Sequence, residues 1–272
     1  MNTTHFPTIP IAFAIPERLI LFSPHPDDIA ISMGALVGWA APRVPVTIVL
    51  MTDGSEAQLP EHVLQADIHQ DATVREKQKA RGMMRVEEAM REAAALGFDS
   101  NVVRLLDRQN WFLQHRTPAE YLNPDGTLCD VNGFNPGPVD EYAVAEIRSI
   151  IGSGSGIICA VPDPNDRLIM HRITTQLISE NRANAKLLTY ECLSTIDVTA
   201  PQTAFPFNED LMTRKCAAIL EHRSMRERRK HFGGYTNPGT EFYDVIVREK
   251  NRALARQLGL TAPYAERFGW KQ

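Results

Sequence analysis

Short apolar runs that alternate with amphipathic segments are the feature of this sequence that most restricts its fold. The runs at Arg18–Ser23, Val46–Met51 and Gly156–Val161 are apolar without a polar alternation, which is typical of parallel strands buried on both faces. Similar runs at Asn101–Leu106 and Ala185–Glu191 complete five predicted strands. Helical segments separate them, so the sequence predicts an α/β fold with a Rossmann-like, mostly parallel sheet and helices on both faces.

The helices predicted between these strands share a 3.6-residue apolar period and cover Ile29–Trp39, about Gln70–Leu96, Val139–Ile151 and about Met170–Asn184. In the C-terminal third we predict a helix near Glu209–His231, a strand near Phe242–Val247 and a helix near Glu249–Leu258, as elements that cap the sheet. Two stretches, Asp107–Pro138 and Cys192–Asn208, show little periodicity, and long loops of this kind usually form a lid or wall of a site.

Composition restricts the class of protein. The 272 residues are enough for one full core, and we expect a single domain over residues 1–272. Lys and Arg number 29 against 33 Asp and Glu, and this net charge of −4 argues against nucleic acid or an anionic membrane as the main partner.

No apolar run is long enough to span a membrane, and the four cysteines form no CxxC pair. We therefore expect a cytoplasmic protein with a small-molecule substrate, and a homo-oligomer stays open.

The sequence Ser23-Pro24-His25-Pro26-Asp27-Asp28 directly follows the first predicted strand. In an open α/β sheet this is the carboxyl end of a strand, where ligands bind. His25 and Asp28 have a spacing that can present two ligands to one metal, whereas Asp27 points elsewhere and is free to accept a proton. A catalytic zinc needs a third protein ligand, and His171, after the Gly156–Val161 strand, is the best placed histidine. The alternative is a hydrogen-bonded turn, because aspartate favours turns in any case.

The Ser23–Asp28 sequence resembles the metal-binding signature of the PIG-L (LmbE-like) N-deacetylase family. Weaker matches follow in the family's order along most of the chain. They comprise Thr52-Asp53-Gly54, the Arg85 to Gly97 segment, Lys215 to Ser224, and Glu241-Phe242, which is similar to a Glu-x-Phe strand but one residue shorter.

This resemblance implies a zinc-dependent deacetylase. It implies that His25, Asp28 and His171 bind Zn²⁺ and that Asp27 is the general base. The implied substrate is an N-acetylated sugar or glycoconjugate, from which the enzyme removes the N-acetyl or another N-acyl group.

The sequence departs from the family pattern beside the third ligand. The family usually has His-Pro-Asp-His-Arg here, and its first histidine is commonly assigned to the oxyanion or the leaving group; in this chain that position is Leu168 and the Asp position is Met170. The glutamate expected after Asp28 is Ile29. Either another residue replaces this histidine, or the chain is a relative with impaired catalysis that contains a metal and binds a sugar. Two histidines and a carboxylate also describe a non-haem iron site, although those sites usually occur on β-barrels.

Five further residues are candidates for the site, each with a plainer alternative. His222 is the candidate replacement for the missing histidine, against a solvated histidine on a basic helix. Arg85 is a candidate substrate contact, against a salt bridge to a glutamate of its own helix. Asp53 is a strand-end carboxylate or a turn residue, and Arg172 is a substrate contact or an exposed charge. Trp111 is a candidate wall for stacking a sugar, against an aromatic that packs its loop.

Overall fold

The computed structural model describes residues 15–55, 74–99, 102–106, 141–166, 168–192, 202–232 and 242–271. The predicted loop Asp107–Pro138, which contains Trp111, lies outside these ranges. Among the described residues, no helix combines the length and the apolar character that crossing a membrane requires.

Seven strands and seven helices make up the described part of the chain. The strands are β1 (Arg18–Ser23), β2 (Val46–Leu50), β3 (Val103–Leu105), β4 (Ile157–Pro162), β5 (Lys186–Tyr190), β6 (Gln202–Phe207) and β7 (Tyr264–Lys271). The helices are α1 (Asp28–Ala40), α2 (Val74–Leu96), α3 (Glu141–Ile151), α4 (Ile169–Asn181), α5 (Glu209–Leu220), α6 (Arg223–Phe232) and α7 (Phe242–Gln257).

The strands form one sheet in the order β3-β2-β1-β4-β5-β7-β6. The first five strands along the chain are parallel neighbours, and Leu21 of β1 lies between Ile48 of β2 and Ala160 of β4. Strand β7 is antiparallel to both of its neighbours, β5 and β6. The predicted α/β class with a mostly parallel, Rossmann-like sheet is confirmed.

Both faces of the sheet are covered, which explains the unbroken apolar runs of the sequence. Successive side chains of a strand point to opposite faces. Leu19 and Leu21 of β1 therefore belong to the core formed with α1, α2 and α5, whereas Ile20 and Phe22 belong to the core formed with α3 and α4. A strand covered on both sides in this way has no position for a solvated polar residue.

The order of the strands creates a crevice between β1 and β4. From β1 the chain adds β2 and β3 on one side, and then crosses over to add β4 and β5 on the other. The loops that leave the carboxyl ends of β1 and β4 consequently diverge, and ligands of such sheets bind at this switch point. His25 follows β1 and His171 follows β4, so the fold places both at the same edge of the sheet.

The predicted strand at Phe242–Val247 is wrong, because these residues begin helix α7. Aromatic and β-branched residues favour a strand locally. In the structure Val247, Asn251 and Ala255 are buried, and this spacing of four residues is that of one helical face. Packing of that face against the rest of the domain outweighs the local preference.

The rest of the C-terminal third also differs from the prediction. The single helix predicted near Glu209–His231 is two helices, α5 and α6, with a break at Glu221 and His222. Strand β6 lies within a stretch predicted to be irregular, and β7 was not predicted. Both strands join the sheet itself. Charged and proline residues in these strands, among them Glu266 and Pro206, interrupt the apolar runs from which strands are predicted.

Two neighbouring valines of α7 distinguish the helix from the predicted strand. Val247 is 4 % exposed and Val245 is 42 % exposed. We expect Val247→Ala to lower the free energy of unfolding by about 2 kcal/mol, because it removes buried apolar surface and leaves a cavity. Val245→Ala changes it by less than about 0.5 kcal/mol. Urea denaturation measures both. A strand would place the two side chains on one face, so equal losses would contradict the helix.

Candidate active site

The loop between β1 and α1 is held in a tight turn by its own polar groups. The Ser23 hydroxyl donates to the carbonyl of His25 (2.6 Å), and the backbone N–H of His25 donates to Asp28 Oδ2 (2.8 Å). The N–H of Asp28 donates in return to the carbonyl of His25 (3.3 Å). This turn brings the side chains of His25 and Asp28 to the same side of the loop.

Three donor atoms converge at the carboxyl edge of the sheet. His25 Nδ1 lies 3.1 Å from Asp28 Oδ2 and 3.2 Å from His171 Nε2, and His171 Nε2 lies 3.2 Å from Asp28 Oδ2. A tetrahedral zinc with bonds of about 2.0–2.1 Å separates its ligand atoms by about 3.3 Å. The triangle has nearly these edges, and two imidazoles with one carboxylate are ligands that zinc accepts. The residues therefore fit a divalent metal.

His171 is oriented by groups behind it. Its Nδ1 lies 3.0 Å from Asp166 Oδ2, and the other oxygen of Asp166 accepts the N–H of Leu168 (2.9 Å). The hydroxyl of Thr175 bonds to the carbonyls of Pro162 and His171, which joins the start of α4 to the end of β4. A histidine that donates Nδ1–H to a carboxylate presents Nε2 as an electron-pair donor. The contact with Asp166 thus selects the ring orientation that metal binding needs.

The electrostatics of the triangle favour an ionised Asp28. Burial alone would raise the pKa of this carboxyl, but the charges of His171 and His25 and their hydrogen bonds outweigh it and hold the pKa well below its usual value. Burial likewise opposes protonation of His171, and here Asp28 and Asp166 prevail and raise its pKa. These groups thus stabilise one another electrostatically.

Asp27 is not one of the three grouped donors and is held by Arg85. The Nη2 of Arg85 donates to Asp27 Oδ1 (2.7 Å), and Nη1 donates to the carbonyl of Gly54 (2.9 Å). Arg85 is only 2 % exposed. Among the described residues, Arg85 therefore pairs with Asp27 and not with a glutamate of its own helix. It holds Asp27, and direct contact with a substrate stays a prediction.

His222 is buried against α2 rather than solvated, so that alternative from the sequence is wrong. Its Nε2 lies 2.5 Å from Glu92 Oε2, and its Nδ1 lies 3.9 Å from Glu88 Oε2. Glu88 also accepts the N–H and the hydroxyl of Ser224. Burial would lower the pKa of His222, but the hydrogen bond and the charge of Glu92 raise it. A catalytic role for His222 stays a prediction.

The remaining candidate residues lie around this centre. Asp53 is buried at the end of β2 and accepts the N–H of Ser55 (2.9 Å), as expected of a turn residue. Arg172 is half-buried and donates to the carbonyl of Asp166 (3.0 Å). Leu168, the departure from the family pattern, is 40 % exposed at the N-terminus of α4. Trp111 lies outside the described residues.

Cys192 is a neighbour of the site that the sequence reasoning missed. Ser32 of α1 donates to its sulfur (3.1 Å), and ligand atoms of Cys192, His171 and Asp166 all lie within 4.8 Å of one another. Burial and the nearby charge of Asp28 raise the pKa of the Cys192 thiol to about 12. It is thus a neutral thiol beside His171. Its position just after β5, at the carboxyl edge of the sheet, was the signal available in the sequence.

Comparison with known families gives one match. Residues 20–224 match the PIG-L family, described as GlcNAc-PI de-N-acetylase. This span runs from within β1 to the start of α6 and includes all of the candidate residues above. No curated protein sequence matches the chain significantly.

Solved structures share the fold over nearly the whole chain. N,N′-diacetylchitobiose deacetylase from Pyrococcus horikoshii superposes with a TM-score of 0.62 at 17 % identity, covering 95 % of this chain and 85 % of that one. A deacetylase of teicoplanin biosynthesis gives 0.61 at 18 %, covering 93 % and 96 %. The 4-carboxy-2-hydroxymuconate hydratase of Pseudomonas putida KT2440 gives 0.55 at 14 %, covering 94 % and 96 %. At these identities the likeness concerns the fold, which carries more than one chemistry.

Gly54 provides a test of the contact between Arg85 and Asp27. Its φ is +69°, and a Cβ there would lie 2.1 Å from Arg85 Nη1. We expect Gly54→Ala to lower the free energy of unfolding by about 3 kcal/mol, because left-handed strain adds to the displacement of a buried ion pair.

The matched control for this substitution is Gly152→Ala, since Gly152 has a φ of +72° with no atom within 4 Å of its added Cβ. It carries the backbone strain alone, about 1–2 kcal/mol. Urea denaturation compares the two, and equal losses would show that the Arg85 contact contributes nothing.

Proposed function

The chain belongs to the PIG-L family, and on that premise we propose that it is a metal-dependent hydrolase that removes an N-acetyl or other N-acyl group from an amino sugar or glycoside. The observation that carries the proposal is the convergence of His25 Nδ1, Asp28 Oδ2 and His171 Nε2, with Asp27 adjacent to Asp28 in the chain. Three protein donors leave a fourth position of a tetrahedral ion for water, which is the arrangement of catalytic zinc sites.

In this proposal His25, Asp28 and His171 hold Zn²⁺. When bound, the ion lowers the pKa of a water ligand and polarises the amide carbonyl. The protein's contribution is to aim His171 Nε2 at the metal position, which Asp166 does by accepting a hydrogen bond from Nδ1.

Asp27 is the proposed general base. Arg85 donates to one carboxylate oxygen, Oδ1, and is itself held by the carbonyl of Gly54, so the carboxylate cannot rotate freely. The proposal assigns to the other oxygen the proton of the attacking water, and then its delivery to the amine that leaves. A fixed base avoids the entropy cost of ordering itself in the transition state.

An N-acetylated sugar or glycoconjugate is the proposed substrate class. The family description and the name of the chitobiose deacetylase both refer to such compounds. A near-balanced charge suits a neutral polyol better than a polyanion. Arg172 and Asp53, at the carboxyl ends of β4 and β2, are the proposed contacts to its hydroxyl groups, together with Trp111.

A second candidate function follows from Leu168. An exposed leucine stands where the family usually has the histidine that stabilises the oxyanion or the leaving group. His222, the candidate replacement, already bonds to Glu92 in a buried position. The second candidate is therefore a metal-containing relative that binds the sugar with little turnover. The non-haem iron alternative is disfavoured, because the sheet is parallel rather than a β-barrel.

The neighbouring carboxylates Asp27 and Asp28 should respond differently to substitution. We expect Asp28→Ala to lose bound zinc and Asp27→Asn to retain it while turnover falls by about 10²–10⁴-fold. Metal analysis of the purified protein and acetate release from a panel of N-acetylated sugars measure the two effects.

Exposed Asp210→Asn, in the first turn of α5, is the matched control and keeps both the metal and the activity. The proposal fails if the wild-type protein contains no divalent ion, or if chelation leaves acetate release unchanged.

Substitution of Leu168 separates the two candidate functions. For a deacetylase that works without the family histidine, Leu168→His adds a donor and raises kcat, by up to the 10²–10³-fold that one oxyanion donor typically contributes. Leu168→Ala removes the same side chain without adding a donor and is the control. If neither wild type nor Leu168→His releases acetate while both bind the N-acetylated sugar, the protein is the sugar-binding relative.

A further inference from the structure

Helix α1, which begins at the metal ligand Asp28, is not a continuous helix. Met33 has φ −137° and ψ 21°, outside the helical range, so α1 consists of two short halves, residues 28–32 and 34–40. The first half carries Asp28 and, through the Ser32 hydroxyl, contacts Cys192 beside His171. A half-helix of this length has little stability of its own, because only longer segments are stable in isolation. Its position depends on what holds its two ends.

Glu266 of β7 holds the second half of α1. The N–H groups of Ala35 and Leu36 donate to the two carboxylate oxygens of Glu266, each at 2.9 Å. These are the amides at the start of a helical segment, where a carboxylate also interacts favourably with the helix dipole. A side chain from a strand distant in sequence therefore caps α1 immediately after its break.

Lys215 of α5 completes this arrangement. Its Nζ lies 2.6 Å from Glu266 Oε1, and both side chains are almost completely buried. The Lys215 chain passes close to α1 at Gly34, where an added Cβ would lie 3.0 Å from its Cγ. Buried charges persist only when paired and hydrogen-bonded. Here the carboxylate has one lysine and two backbone amides, so its position is closely defined.

We propose that Glu266, supported by Lys215, is a positioning residue for the metal ligands. By anchoring α1 beyond its break, Glu266 fixes the half-helix that carries Asp28 and sets the separation of Asp28 from His171. The inference rests on the proposed metal site but concerns residues that touch neither the metal nor the substrate. Glu266 also lies beyond the 20–224 span that matches the family.

The experiment compares Glu266→Gln with a control on the same strand. Arg267→Gln removes an ion pair to Glu191 (2.9 Å) from β7 without a contact to α1. The double variant Lys215→Met/Glu266→Gln is measured in parallel, because it leaves no unpaired buried charge and folds even where the single variant does not. Full-length protein is used throughout.

Two measurements are made on each variant. The first is amide hydrogen exchange of the metal-free protein over residues 28–32, the half of α1 that does not contact Glu266. The second is the zinc dissociation constant by competition with a chromophoric chelator. We expect faster exchange in this half for Glu266→Gln and for the double variant, and zinc binding weaker by about tenfold, the lower range for groups that orient ligands. Arg267→Gln changes neither.

Two results would overturn the inference. The first is that hydrogen exchange and zinc affinity are unchanged in both Glu266 variants. The second is that Arg267→Gln changes them as much as Glu266→Gln does, which would show only a general loss of stability. A wild-type protein that takes up no zinc would refute the proposed function instead. The exchange measurement then still decides whether Glu266 positions the Asp28 half of α1.

Discussion

The carboxylate of Asp28, between the half-buried imidazole of His25 and the buried imidazole of His171 at the carboxyl edge of the sheet, is the interaction on which the site depends. Separately, a buried carboxylate and a buried imidazole are each costly, because burial penalises their charged forms. Together they lie at mutual distances of 3.1–3.2 Å and stabilise one another. This juxtaposition requires β1 and β4 to be adjacent and parallel, because each strand delivers one half of the cluster. The strand order of the sheet therefore decides whether the side chains of the site can meet.

Two residues of the centre, His171 and Asp27, have an oppositely charged partner behind them. Asp166 lies behind His171, and Arg85 lies behind Asp27. The pair of His222 and Glu92 repeats the pattern between α2 and the α5–α6 break. The side chains of the candidate site are thus held by a larger buried polar network. Such networks are stable only when their members are satisfied, and they then define a unique geometry.

Local sequence was sufficient to predict the five parallel strands and the convergence of His25, Asp28 and His171. Continuous apolar runs identify the buried strands, and the rule that strand ends face one edge brings the two loops together. The same reasoning failed where distant packing decides. Phe242–Val247 has strand-forming residues but folds as the start of α7, because its buried positions continue at a spacing of four into the next turns.

The burial of Glu266 and Lys215 was also not predicted from the sequence. A charged residue in the middle of a segment argues against a buried strand, yet Glu266 is buried because Lys215 and two amides of α1 neutralise it. Lys215 and α1 are both distant from Glu266 in sequence, so the residues around Glu266 could not reveal these partners. The buried state of Arg85 and His222 was missed for the same reason, since charge on a helix usually indicates a solvated face.

Strand β7 has a consequence for the order of assembly. Strand β6 pairs with β7 alone in the described sheet, and β7 comes later in the chain than α5, α6 and α7. During synthesis, β6 therefore emerges without a hydrogen-bonding partner, and the second half of α1 emerges without its carboxylate cap. Contacts between such distant segments form slowly, because the intervening loop must first be closed. The second half of α1 thus obtains its cap only when β7 inserts between β5 and β6.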